Sequence, residues 1–135
     1  MPHNDPLKSL TPLRATGDEG EDSAARYLKK NGFKIIERNF SCRVGELDII
    51  AEKKGELHFI EVKTRRTLGF GDPLEAITPW KQKRISQTAK YYLLKNAKWN
   101  NRPKCFSVMS IYDPGNDDAQ IEFIPNAFEV WGDYY

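Results

Sequence analysis

The sequence predicts an α/β fold in which a mixed central sheet is flanked by helices, in the order α-β-β-β-α-β-β. Two observations carry the expectation. Stretches 17–31 and 78–97 read as helices, whereas five shorter stretches are rich in Ile, Val, Phe and Tyr at strand length. Turn residues separate them: Asn31-Gly32, Lys53-Lys54-Gly55 and Asp113-Pro114-Gly115-Asn116.

The first helix runs from Gly17 to Asn31, with Ala24, Ala25, Tyr27 and Leu28 at helical spacing, and Asn31-Gly32 ends it. Strands follow over Phe33–Phe40, Leu47–Ala51 and Leu57–Val62, the last two joined by the Lys53-Lys54-Gly55 turn. A polar loop from Thr64 to Pro73 leads to the second helix, Thr78–Ala97, where Pro79 is acceptable in the first turn. Phe106–Tyr112 and Ile121–Ile124 complete the sheet.

A chain of 135 residues fits one domain. Residues 1–16, with Pro2, Pro6 and Pro12 and no continuous apolar run, read as a flexible N-terminal arm. Residues 131–135 read as a C-terminal tail. Hydrophobic residues at 39% and charged residues at 30% suit a soluble domain, and no apolar run approaches the roughly 18–20 residues that cross a bilayer. Cys42 and Cys105 are too few for a disulfide framework and form no CxxC pair, so a reducing cytoplasm is the expected compartment. A net charge of +2 announces no nucleic-acid binding by itself; any such face must be a local cluster of Lys and Arg. Without a Gly-rich phosphate loop, no nucleotide cofactor is expected.

The most informative stretch joins Gly45-Glu46-Leu47-Asp48-Ile49-Ile50 to Phe59-Ile60-Glu61-Val62-Lys63. With Lys54 and Gly55 at the centre of a tight turn, Lys53 pairs with Glu56 and Glu52 with Leu57. Counting back sets Asp48 opposite Glu61 and Glu46 opposite Lys63, with Lys63 sharing the face of Glu61. A three-residue loop would move Asp48 to the other face. Facing carboxylates repel, and oxygen-rich acidic pockets of this kind bind Mg²⁺ or Mn²⁺. A neighbouring lysine then helps activate water or offsets charge in a phosphoryl transition state. Spacing alone equally allows Asp48, Glu61 and Lys63 to be solvated positions on an amphipathic strand. The flanking Ile49, Ile50, Phe59, Ile60 and Val62 argue for strands buried on both sides, where charges need partners.

These residues also resemble a family. Gly17 with Glu21-Asp22, Ala24-Ala25, Tyr27-Leu28 and Gly32-Phe33 looks like the opening of the YraN-like bacterial proteins. The likeness continues through Arg38-Asn39-Phe40, Gly45 to Ile50, Phe59 to Arg65, Phe70-Gly71, Lys81-Gln82, Ile121 to Ile124 and Ala127-Phe128. That family is similar in turn to archaeal Holliday-junction resolvases and to the restriction-endonuclease-like PD-(D/E)xK fold. The resemblance implies one endonuclease-like domain over 17–130. Within it, Glu21, Asp48 and Glu61 would be metal-binding catalytic carboxylates and Lys63 the catalytic lysine. The implied reaction is metal-dependent hydrolysis of a phosphodiester by water. The chain departs from the pattern at Cys105-Phe106-Ser107-Val108, where the family usually carries Arg-Phe-Asp-Val.

Other residues admit two accounts. Glu21 also fits a surface acid near a helix N-terminus, and Glu46 a further ligand or, better, an ion-pair partner of Lys63. Arg65, Arg66, Lys81, Lys83 and Arg84 suit contacts with phosphates beside the site, or a solvated helix face. Trp80, Tyr91 and Tyr92 can stack on bases or, better, pack in the core. Gln87 and Tyr91 share a helix face and faintly echo a motif of related nucleases. His58 and His3 lack metal-ligand spacing to a second His or Cys. The expected function is a Mg²⁺- or Mn²⁺-dependent nuclease on DNA, acting on branched or broken ends, with a homodimer needed for a resolvase. The alternatives are a non-catalytic nucleic-acid-binding module on the same fold and a protein-interaction scaffold.

Overall fold

The computed structural model describes residues 12–65, 77–112 and 120–129. Residues 1–11, 66–76, 113–119 and 130–135 lie outside the described residues, among them His3, Arg66, Phe70-Gly71, the Asp113–Asn116 turn and the 131–135 tail. Among the described residues, no helix is long and apolar enough to cross a membrane.

Helix α1 spans Pro12–Lys30. It starts five residues before the expected Gly17, so residues 12–16, read above as part of the arm, are helical. Pro12 fits because a first-turn residue has no intrahelical use for its N–H. The helix stops where Asn31-Gly32 predicts. Phe33 N–H bonds the Leu28 carbonyl at 2.9 Å and Gly32 N–H that of Lys29 at 3.3 Å. Phe33 and Leu28 then pack in one core, completing a Schellman cap.

Strands β1 (Lys34–Cys42), β2 (Gly45–Lys53) and β3 (Glu56–Arg65) form an antiparallel meander. Lys54 and Gly55 both have positive φ, 52° and 85°, as in a type I′ turn whose twist matches the strands. The register is the expected one, from Lys53↔Glu56 to Ile49↔Ile60. Helix α2 spans Pro79–Lys95; Thr78 Oγ1 caps it by accepting from Lys81 N–H at 3.3 Å. A short 3₁₀ turn (Ala97–Trp99) leads to β4 (Lys104–Tyr112), which runs parallel to β3, and β5 (Gln120–Phe128) pairs antiparallel with β4. The sheet order is β1-β2-β3-β4-β5. The parallel pair exists because the connection through α2 returns the chain to the same end of the sheet.

The sheet divides two cores. On one side Ala24, Ala25 and Leu28 of α1 pack on Ile49, Ile60, Met109 and Ile111. On the other, Ile85, Ala89, Tyr92 and Leu93 of α2 pack on Leu47, Phe59, Phe106 and Val108. Residues two apart on a strand normally share a face, yet Leu47 belongs to the α2 side and Ile49 to the α1 side. Strand β2 therefore turns over at Asp48. Opposite it on β1, between the pairs Arg38↔Ile49 and Phe40↔Leu47, Asn39 takes a φ of 55°.

Candidate active site

The turnover of β2 brings Asp48 to Glu61. The β2–β3 ladder stops at Ile49↔Ile60, and Val62 N–H donates instead to Asp48 Oδ2 at 2.8 Å. The Glu61 carboxyl stands close enough to Asp48 to feel both its charge and its hydrogen-bonding oxygens. Burial, then the charge and hydrogen bond of Asp48, push the Glu61 carboxyl up to about 9. Lys63 follows on the same side of β3, its Nζ 3.9 Å from Glu61 Oε2. Burial draws its ammonium below the usual lysine range; Glu61 opposes this and the positive Lys81 adds to it. Ser110 is the neighbour of Lys63 in the β3–β4 register, and its buried Oγ has no hydrogen-bond partner among the described residues.

Glu21 is not a surface acid near a helix end. It lies in the tenth position of α1, 8% exposed. Its Oε1 accepts from Arg38 Nε at 3.1 Å and Asn39 Nδ2 at 2.9 Å, while Arg38 also bonds Asp22 Oδ1 at 2.7 Å. Burial raises its pKa, the Arg38 bond opposes the rise, and the negative charge of Asp48 adds to it. Asp48 is thus felt from both sides of the sheet. The sequence alone assigns no role to Arg38 and Asn39, although they stand in the Arg38-Asn39-Phe40 motif.

Helix α2 closes the other wall. A cleft of about 200 Å³ is lined by Glu46, Glu61, Trp80, Lys81, Arg84 and Thr88, among others. Gly45 makes the close approach possible: a Cβ there would stand 2.6 Å from Thr88 Oγ1. The Arg84 guanidinium donates to the Val44 carbonyl at 3.0 and 3.2 Å and lies 4.8 Å from the Trp80 ring. Arg84 therefore braces the β1–β2 turn as well as facing the cleft. Trp80 is 63% exposed, so the core role expected for it is overturned. Tyr92 is buried against Phe40 and Phe59, which removes it from base stacking, while Tyr91 stays partly exposed beneath Lys95. Lys81 and Lys83 are exposed on α2, and Arg65 ends β3 opposite Tyr112. The expected Glu46–Lys63 pair is replaced: Glu46 accepts from Ser41 Oγ at 3.0 Å because the ladder ends before reaching it.

A second cluster is not visible in the sequence. His58 and Cys105 are register partners across the parallel β3–β4 pair, and with Glu56 they place three ligand atoms within 4.8 Å of one another. Sequence spacing hid them, since 47 positions separate the two. The usable signal was the Cys105 and Ser107 departure from the family pattern.

Fold and site together define a small mixed α/β protein with a lysine-bearing carboxylate pair at a break in its sheet. The chain belongs to the uncharacterised protein family UPF0102, whose model matches residues 20–111. It is 43% identical over 116 residues to a UPF0102 protein of Caldicellulosiruptor saccharolyticus, covering 85% of this chain and 98% of that one. It is 46% identical over 114 residues to the UPF0102 protein GSU0650 of Geobacter sulfurreducens, covering 84% and 88%. A UPF0102 protein of Pelobacter propionicus is 44% identical over 119 residues, covering 87% and 84%.

Proposed function

We propose that this chain is a metal-dependent nuclease that hydrolyses phosphodiester bonds in DNA, built on the restriction-endonuclease-like plan and kin to the archaeal junction resolvases. The observation that carries the reading is the meeting of Asp48 and Glu61, with Lys63 Nζ 3.9 Å from the Glu61 carboxylate. Burial and the neighbouring Asp48 oppose the charged form of Glu61, a divalent cation between the two carboxyls would relieve that opposition, and their all-oxygen donor set suits Mg²⁺ or Mn²⁺. A bound ion of this kind polarises a phosphoryl oxygen and makes its water a better nucleophile.

The chain's own groups supply the rest. Asp48 is anchored by the Val62 N–H and presents its carboxylate in a fixed position. Glu61 gives up its proton when a cation takes that proton's place. Lys63, partly desolvated, is suited to accept a proton from the attacking water or to offset charge on the phosphoryl oxygens. Glu21 is poised beside Asp48 as a further acidic group, held off by Arg38 and Asn39. Lys81 and Arg84 supply positive charge at the cleft mouth for the phosphates.

The test is incubation of purified protein with linear, nicked and four-way-junction DNA plus Mg²⁺ or Mn²⁺, beside Asp48→Ala and Lys63→Ala. Cleavage lost in both variants supports the reading. No cleavage of any substrate, with DNA binding unchanged in the variants, supports a non-catalytic binding module instead. The exposed Trp80 beside Arg84 favours that second reading, since an aromatic ring with an adjoining guanidinium is a surface on which unpaired bases stack.

A further inference from the structure

We propose that Glu56, His58 and Cys105 form a second metal site, for a zinc-class transition ion, on the side of the sheet away from the carboxylate pair. His58 and Cys105 are buried, at 5% and 6% exposure, and the Glu56 side chain stands 43% exposed at the rim. Glu56 Oε1 lies 3.0 Å from His58 Nε2, and Cys105 Sγ lies 3.1 Å from Nδ1 and 3.9 Å from Nε2. One zinc ion holds thiolate at about 2.3 Å and imidazole or carboxylate at about 2.0–2.2 Å, which sets its donors roughly 3.3–3.6 Å apart. The separations from the imidazole bracket that spacing, and all three donor atoms lie within 4.8 Å of one another. Turning the imidazole about its Cβ–Cγ bond, with donor shifts on the order of 1 Å, closes the triangle on an ion.

The donor chemistry differs from that of Asp48 and Glu61. Sulfur and imidazole nitrogen select zinc-like ions over Mg²⁺ or Mn²⁺. Ser107 Oγ lies 3.1 Å from His58 Nδ1 and 3.5 Å from Cys105 Sγ, and accepts from Asn126 N–H at 3.4 Å. It is therefore fixed where it can orient the first two donors. An edge-on contact with Phe33 (5.0 Å between centroids) and a tilted one with Phe123 (6.2 Å) wall the imidazole on its apolar side. The groove outside, about 530 Å³ and bordered by Tyr27, Phe33, Lys53, Glu56 and His58 among others, supplies an entry path. Three protein donors leave a fourth position, open to water or an anion from that groove. Loading releases the thiol proton to solvent, and no electron moves.

Metal-free full-length protein titrated with Co²⁺ tests this, with the thiolate-to-cobalt charge-transfer band as the readout. The expected result is a saturable band at one cobalt per chain, displaced by Zn²⁺, absent in Cys105→Ser, and retained in Cys42→Ser and Asp48→Ala. No band in the wild type, or one that survives Cys105→Ser, overturns the site. Because Cys105 is buried, Glu56→Gln at the exposed rim is the companion variant. It should keep the wild-type circular dichroism and weaken cobalt binding at least about tenfold; unchanged affinity in it overturns the three-donor assignment.

Discussion

Strand β3 carries two sets of polar side chains that differ in chemistry and in how they are assembled. Glu61 and Lys63 leave it toward α2 and meet Asp48; Glu56 and His58 leave it toward α1 and meet Cys105. Alternation with period two is what lets one strand serve both without mixing them. The first set is all carboxylate and ammonium, with Asp48 opposing the ionisation of Glu61. The second holds sulfur and nitrogen, with each polar atom already bonded to a neighbour. The first is drawn together within a hairpin, the second only across the parallel pair. Without metal the two places meet burial differently: a raised carboxyl pKa in one, an internal chain of hydrogen bonds in the other.

The largest effect expected is on catalysis. Asp48→Ala and Lys63→Ala should each lower DNA cleavage by about 10²–10⁴-fold while leaving the cobalt–thiolate band intact. Loss of both signals in either variant would show the two sets to be one unit.

The next concerns pH. A carboxyl whose folded-state pKa lies above its unfolded value stabilises the fold below the unfolded pKa. For Glu61 that contribution is lost as pH rises from the ordinary 4.5 through about 9. The melting temperature of metal-free protein should therefore fall across that window. Mn²⁺ should offset the fall, and Glu61→Gln should flatten the profile. A slope unchanged in Glu61→Gln would place the titrating group elsewhere.

A smaller effect tests how the α2 wall is seated. Gly45→Ala puts a methyl against Thr88 Oγ1 and should destabilise by about 1–3 kcal/mol, read by urea unfolding. Gly45→Ala with Thr88→Ala should recover part of that, and no recovery would mean that the strain lies in the backbone. Of similar size, but confined to binding, is Trp80→Ala, which should weaken single-stranded DNA binding by about 1–3 kcal/mol with little change in stability, since that ring is mostly exposed. Binding unaffected by its loss would remove the stacking surface from the site.

What was legible in the sequence follows from how local each feature is. The hairpin register could be read because Lys54-Gly55 specifies a two-residue turn, and a turn fixes every pair beyond it. The end of α1 could be read from Asn31-Gly32; its start could not, because Pro12 suits an arm and a first helical turn equally. The Asp48–Glu61 meeting was anticipated, but by counting a regular ladder. The ladder stops one pair earlier, and the turnover of β2 makes the contact while releasing Glu46 to Ser41. Glu21 came from a motif; its hold by Arg38 and Asn39 needed the β1–α1 packing. Nothing local to His58 or Cys105 points to the other, since their adjacency is a property of β3–β4 pairing alone.

The parallel ladder also bears on the order in which the molecule is built. A hairpin closed by two residues loses little chain entropy on forming, whereas β3 and β4 must first enclose the whole α2 crossover. Pairings of such long range are what slow folding in small domains. Substitutions in the Lys54-Gly55 turn and substitutions along β4 should thus partition differently between folding and unfolding rates. The carboxylate pair is nearly a product of its own hairpin. The thiol and imidazole meet only when the chain has finished crossing over, so their contact is a reporter of completed assembly.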